Sequence, residues 1–136
     1  MAEIRLARGV AAEILNHARG NQEEECCGLL AGRHGVIAQA YPAQNAAEHP
    51  TSAYEITPEE LFHIIREIRA AGLELLGIYH SHPNGDNHPS PRDVERAYYP
   101  DAAYFILSPR TDAPEPIRAY SIRDGRWTQL EIKIQN

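Results

Sequence analysis

A chain of 136 residues with 43% apolar and 24% charged side chains is long enough for one domain with its own hydrophobic core. A net charge of −6, a pI near 5.6 and the lack of any Lys/Arg cluster argue against a nucleic-acid partner. No window approaches ~18 apolar residues, which excludes a membrane-spanning helix, and the opening Met1-Ala2-Glu3-Ile4-Arg5 lacks a signal peptide's basic and apolar regions, so a cytoplasmic location is expected.

In chain order, Glu3 to Leu6 reads as a short strand. Val10, Ile14 and Ala18, with Leu15, recur at helical spacing and predict a helix over about Arg8–Arg19, stopped at Gly20-Asn21. Cys26 to Gly32 reads as a buried strand, Arg33-His34-Gly35 as a tight turn, and Val36 to Tyr41 as the returning strand of a hairpin. The adjacent cysteines would point to opposite faces of their strand, so a disulfide between them is not expected; one thiol should be buried and one accessible. Asn45 to Ser52 is polar and loop-like. Thr57-Pro58-Glu59-Glu60 is a capping box with proline at the first helical position, and it opens a helix to about Ala71 that buries Leu61, Ile64, Ile65 and Ile68. Glu74 to Tyr79 is the central strand. Arg92 to Tyr99 reads as a short helix and Ala102 to Leu107 as a buried strand. Ile117–Ile122 and Arg126–Ile134 form a hairpin turning at Asp124-Gly125. The order β-α-β-β-α-β-α-β-β-β predicts an α/β fold, a single-domain mixed sheet flanked by helices over residues 1–136.

Chemistry concentrates where the central strand ends. The apolar run Leu75-Leu76-Gly77-Ile78-Tyr79 gives way to His80-Ser81-His82. Residues i and i+2 of a strand face the same side, so His80 and His82 can present their imidazoles together. Asp93 returns after a Pro/Gly/Asn loop and supplies a hard oxygen ligand. Three such ligands leave the fourth tetrahedral position of zinc open, as in a catalytic site. Zinc lowers the pKa of a water in that position towards ~7. A hydrolase of this kind also needs a carboxylate as general base. Glu25, at the mouth of a buried strand where a carboxylate has little packing reason to be, is the better candidate; the loop itself offers Asp86. Ser90 is close enough to Asp93 to donate to a developing oxyanion.

Each of these residues also has a plainer reading. Ser90-Pro91-Arg92-Asp93 is by itself a helix cap, and the two roles are compatible, since a helix start favours an ionised Asp93. His80 and His82 would serve as satisfied polar residues at a strand end, and Glu25 as the last member of a solvated run, Glu23-Glu24-Glu25. Cys27 has no activating histidine close by and reads as core. His88 reads as a surface loop residue, as do His17, His34, His49 and His63; Tyr120 and Trp127 read as packing. A (β/α)₈ barrel hydrolase needs ~250 residues. The H-x-E and P-C-x-x-C elements of a nucleobase deaminase are absent.

Taken together, Glu25-Cys26-Cys27-Gly28-Leu29-Leu30, His80-Ser81-His82, seven further residues, Ser90, two more and Asp93 resemble the JAMM motif of the JAB1/MPN/Mov34 metalloproteases. The resemblance spans nearly the whole chain in element order. It implies an MPN/JAB1, cytidine-deaminase-like architecture and one zinc per chain held by His80, His82 and Asp93. It implies Glu25 as the base and Ser90 as the oxyanion stabiliser. The family hydrolyses peptide or isopeptide bonds beside the C-terminus of ubiquitin-like proteins. This chain is similar to short prokaryotic members that cut a small adduct, cysteine among them, from a β-grasp sulfur-carrier protein ending in Gly-Gly; it lacks the long insertions of ubiquitin-specific members. The competing expectations are a non-catalytic module that holds a ubiquitin-like partner and a deubiquitinase-like isopeptidase acting on lysine conjugates. Many members pair, so a homodimer is a further expectation.

Overall fold

The computed structural model describes residues 2–136; Met1, the first position of the expected 1–136 domain, lies outside the described residues. The chain runs β1 (Glu3–Ala7), α1 (Arg8–Arg19), β2 (Cys27–Arg33), β3 (Val36–Ala43), α2 (Pro58–Ala70), β4 (Glu74–Ser81), α3 (Pro91–Glu95), β5 (Ala103–Leu107), β6 (Ile117–Arg123) and β7 (Arg126–Gln135). The element order is the one read from the sequence, and the sheet is mixed. β2 pairs antiparallel with β3 and β4, β4 pairs parallel with β5, and β5, β6 and β7 continue antiparallel. β1 runs parallel to both β7 and β3, so the sheet curls until its two ends meet on β1. Both hairpins turn through consecutive left-handed residues, His34-Gly35 (φ 54° and 75°) and Asp124-Gly125 (φ 52° and 75°). That is the turn geometry whose twist matches paired strands.

The helices form where capping and periodicity place them, with two departures. Thr57 caps α2 by accepting from Glu60 N, but the box is left half closed because the Glu60 carboxylate accepts from Gln44 N instead. The third helix ends at Glu95 rather than Tyr99. Pro100 disfavours helical backbone at Tyr99, whose N–H donates instead to the Tyr104 hydroxyl.

β2 and β4 lie at the middle of the sheet, and both of their faces are covered. On one face Leu30, Cys26 and Tyr79 pack with Val10, Ile14 and Ala18 of α1; on the other, Leu29 and Ala31 pack with Ile64 and Ile68 of α2. This overturns the expectation of one accessible thiol. Cys26 and Cys27 do point to opposite faces, but each face carries a helix, and both cysteines are buried and free. Burial raises both thiol pKa values, Cys27 to about 12, so neither is a nucleophile at neutral pH. His17 is likewise not a plain surface residue: its Nδ1 meets the hydroxyl of the fully buried Tyr79 at 2.8 Å. Tyr79 lies across the backbone of Gly28, its cross-strand partner. A Cβ on Gly28 would stand 2.5 Å from the Tyr79 ring and 2.6 Å from the Tyr41 carbonyl oxygen.

That close approach gives the first test of the packing. Gly28→Ala forces apart two strands that cannot yield, and overpacking of this kind costs about 1–3 kcal/mol. Urea titration of the variant should show a lower midpoint with an unchanged slope. A midpoint equal to the parent's would mean that Tyr79 does not lie against Gly28.

Candidate metal centre

The site is assembled at the end of β4. Along this strand Gly77 and Tyr79 face α1, while Ile78 and His80 face the opposite side, where Tyr54 and α3 lie. His80 is buried, and the Tyr54 ring stacks on it with centroids 4.4 Å apart. His82 follows the last residue of the strand, and its backbone N–H still donates to Leu107 O at 2.9 Å, which keeps the chain in line with β5. Ser81, between them, faces the α1 side. Its N–H donates to Cys26 O and its hydroxyl accepts from Cys26 N, at 3.1 and 2.9 Å. These two bonds clamp the entry of β2, which carries Glu25, to the exit of β4, which carries both histidines.

Asp93 reaches the histidines from α3. Ser90 caps this helix through a closed capping box: Asp93 N donates to Ser90 Oγ at 3.1 Å, and Ser90 N donates to Asp93 Oδ2 at 2.9 Å. The same carboxylate meets His80 Nε2 through Oδ1 at 3.1 Å and His82 Nε2 through Oδ2 at 3.0 Å, while the two Nε2 atoms lie 3.2 Å apart. A zinc ion with ligand bonds of ~2.0–2.1 Å in a tetrahedron needs neighbouring donor atoms about 3.3 Å apart. The two imidazole nitrogens stand almost at that spacing, and the carboxylate spans them with one oxygen towards each, all within 4.8 Å of one another. His82 is also oriented for a metal. Its Nδ1 faces the carbonyl oxygen of Asp86, which can only accept, so Nδ1 carries a proton and Nε2, which faces Asp93 and His80, is the nitrogen left for a metal ion once its own proton is displaced. By spacing, orientation and donor type these residues fit a zinc ion.

Glu25 is the one member of its acidic run that turns inward; Glu23 and Glu24 are exposed. Its backbone is fixed by Glu25 N to Pro50 O at 2.8 Å and by Asn45 Nδ2 to Glu25 O at 3.0 Å. Its carboxylate lines a polar cleft of about 430 Å³ with His82, Ser90, Thr51, Ser52 and Asp86. Oε1 is buried there without a hydrogen-bond partner. Burial raises the Glu25 pKa to about 7, against the opposing pull of His82 and with a further push from Asp93. Asp93 goes the other way. Burial alone would raise it, but hydrogen bonds from His80 and His82 hold it well below the usual carboxylate range. Burial lowers the pKa of His80; on His82 the same penalty is outweighed by Asp93 and the Asp86 carbonyl, and its pKa is raised. Asp93 also borders an apolar cavity of about 330 Å³ walled by Tyr54, Leu29, Ile78, Tyr99 and Tyr104.

All five residues singled out by the motif thus gather at one end of the sheet: His80, His82 and Asp93 in contact, with Glu25 and Ser90 on the cleft that His82 shares. The candidate ligand Asp93 also closes the capping box of α3, so one residue combines both readings. Asp86, the rival base, is exposed. His88 is an exposed loop residue, though it meets Asp86 and Arg118. Sequence reasoning missed Tyr54, which backs His80, Asn45, which organises the loop around Glu25, and Ser81. Only Ser81 had a signal, its place between the histidines. Among the described residues no helix is long and apolar enough to cross a membrane.

Comparison with known proteins shows a family and a fold. Residues 7–123 match the family model described as prokaryotic homologs of the JAB domain. A desampylase of Haloferax volcanii is 41% identical over 114 residues, 79% of this chain and 82% of the relative. A CysO-cysteine peptidase of Mycobacterium tuberculosis is 33% identical over 131 residues, 92% of this chain and 89% of the relative. The crystal structure of a JAB1/MPN domain protein from Archaeoglobus fulgidus superposes with a TM-score of 0.65 at 20% identity, covering 97% of this chain and 99% of that one, and shares the fold.

The raised pKa of Glu25 has a consequence for stability in the metal-free protein. A carboxyl that titrates near 7 when folded and near 4.5 when unfolded contributes stability that is complete below pH 4.5 and lost as pH rises through 7. With the cleft open to solvent on one side, the loss is about 2 kcal/mol. Urea titrations in chelator at pH 5 and pH 8 should show the parent losing ~2 kcal/mol relative to Glu25→Gln. Parallel pH dependence in the two proteins would show that Glu25 is not buried with an unpaired charge.

Proposed function

Because this chain belongs to the family of prokaryotic homologs of the JAB domain, we propose that it is a zinc-dependent peptidase that hydrolyses the bond after the C-terminal Gly-Gly of a ubiquitin-like, β-grasp carrier protein. The whole of residues 1–136 serves as one such catalytic domain. A single observation carries the reading: two imidazoles and a carboxylate whose donor atoms converge within 4.8 Å, beside a buried carboxylate oxygen that has no partner in the fold. A scaffold that only bound a partner would gain nothing from leaving Glu25 Oε1 unsatisfied, since such a group costs ~1–3 kcal/mol.

His80, His82 and Asp93 would hold the zinc, which when bound supplies Lewis-acid chemistry and a more acidic water. Glu25, with a pKa near neutrality, takes a proton from the attacking water and delivers it to the leaving amine. Ser90 uses its oxygen to cap α3, so its own proton remains free to donate to the oxyanion that forms at the scissile carbonyl. The apolar cavity beside Asp93 gives the carrier's tail a surface on which to lie, and the polar cleft on the Glu25 side receives the leaving group. The relatives named above point to leaving groups of more than one kind, and the amine released is cysteine, a short C-terminal extension or a lysine conjugate.

The test is a carrier with a short extension after Gly-Gly, incubated with the protein and followed by mass spectrometry. Cleavage after the second glycine is expected, and a chelator should abolish it. Glu25→Gln should retain stoichiometric zinc while hydrolysis falls by at least about 10²–10³-fold, the usual cost of losing a general base. Turnover at the parental rate would remove Glu25 from the mechanism. A protein free of metal that still binds the carrier would make it a binding module.

A further inference from the structure

We propose that Asn87 and Tyr120 are positioning residues for the metal centre, acting on His82 through the backbone carbonyl of Asp86. The inference rests on the reading of His80, His82 and Asp93 as metal ligands.

His82 lies beyond the last residue of β4, so the sheet fixes its backbone but not the rotation of its ring. The ring is set by contacts at its two nitrogens. Nε2 faces Asp93 and His80, and Nδ1 donates to the Asp86 carbonyl. This carbonyl leaves Nε2 as the nitrogen for a metal ion. It belongs to the loop of residues 83–89, where Asn84, Asp86 and His88 are all exposed. Local bonds shape that loop, Gly85 N to His82 O and Asp86 N to Asn84 Oδ1, but neither ties it to the rest of the protein.

Asn87 does. It is the one fully buried side chain of the loop, 5% exposed. Its Nδ2 donates to Glu115 O at 2.7 Å and to Ile106 O at 3.3 Å, so both amide hydrogens are used. Ile106 is the β5 residue paired with His80, which places the anchor on the same rung as a metal ligand. The backbone carbonyl of Asn87 accepts from the Tyr120 hydroxyl at 2.8 Å. Tyr120 is itself fully buried on β6, with the Trp127 ring edge-on against it at 5.2 Å. Asn87 is thus held by its side chain and by its carbonyl, which fixes the Cα at one end of the peptide unit that carries the Asp86 carbonyl. An aspartate at position 87 would have no hydrogens to give and would set a charge against two carbonyl oxygens. An alanine would leave those carbonyls unpaired and the loop free. Groups that orient a metal-bound imidazole are worth about 10–100-fold in metal affinity.

The experiment uses the full chain with Asn87→Ala and Tyr120→Phe, the latter keeping the ring and its packing. Zinc affinity is measured by competition with a chromophoric chelator, kcat and KM on the carrier adduct, and Tm on the metal-free proteins. The expected result is a zinc Kd raised ~10–100-fold in Asn87→Ala and about 10-fold in Tyr120→Phe, with kcat reduced at saturating zinc and KM unchanged. The visible spectrum of the cobalt(II)-substituted variants should also differ from the parent's. Parental zinc affinity in both variants, with only a lowered Tm, would reduce the pair to a loop anchor and overturn the proposal. A parent that binds no zinc would overturn the metal reading itself, and this inference with it.

Discussion

The Asp93 carboxylate is the point at which the fold and the site become one structure. Its Oδ2 completes the capping box of α3 by accepting from Ser90 N, and the same group faces both imidazoles. α3 is only five residues long, too short to stand as a helix without its cap and the packing of Val94 and Ala97 beneath it. Losing the carboxylate would therefore release the helix start as well as the proposed ligand. The reverse also holds: whatever secures the helix start secures the ligand. A helix N-terminus favours negative charge, and the two histidines add hydrogen bonds, so this carboxyl is ionised throughout the physiological range despite its burial.

Glu25 shows how the same chemical group acquires the opposite property in the same site. Its surroundings offer no capping amide and no direct hydrogen bond to Oε1, so burial dominates and the pKa rises to about 7. One carboxyl stays ionised beside two imidazoles, as the proposed ligand must, and the other titrates near neutrality, as the proposed base must. Two carboxyls whose environments drive their pKa values apart make a division of labour between ligand and base. The clamp between Cys26 and Ser81 ensures that the division is spatially fixed, because it ties the strand entry bearing one group to the strand exit bearing the other two ligands.

Much of this was legible in the sequence because it is encoded locally. Helical periodicity placed α1, proline and threonine placed the start of α2, and Asp-Gly placed the last hairpin. The convergence of His80, His82 and Asp93, the proposed ligands, was legible from strand alternation and from the helix-cap pattern at Ser90–Asp93. Glu25 was separable from its acidic neighbours only through the resemblance; burial, a tertiary property, is what sets it apart. What stayed hidden depends on contacts across long stretches of chain. Both faces of β2 carry helices, which buried a thiol expected to be accessible. The end of α3 was set by Pro100 and by a bond from Tyr99 to Tyr104. Tyr54 and Asn45 sit in a loop that looked featureless, and they matter because of what they reach: His80 in one case, the Glu25 carbonyl in the other.

The metal centre accordingly divides into a part that the sheet holds and a part that it does not. His80 is inside β4, paired across to β2 and β5, and its position follows from the register of three strands. His82 is outside the sheet, and Asp93 stands on a helix that begins a loop later. The proposed hydrolysis would need this outward step, since a ligand set buried wholly within the sheet would leave no open side for a substrate to approach. The cost is that the ring of His82 depends on a polar loop for its orientation. A loop can be as exact as a strand only if something in it is buried and fully bonded, and Asn87 meets both conditions. The side chains around it are exposed, and Asn87 is the member of the loop that is buried as well as bonded. A carbonyl, unlike a side chain, survives any substitution at its own position, so the orientation of His82 depends on how residue 87 and its partners hold the backbone, while the Asp86 carboxylate adds a second, exposed tie through His88 to Arg118.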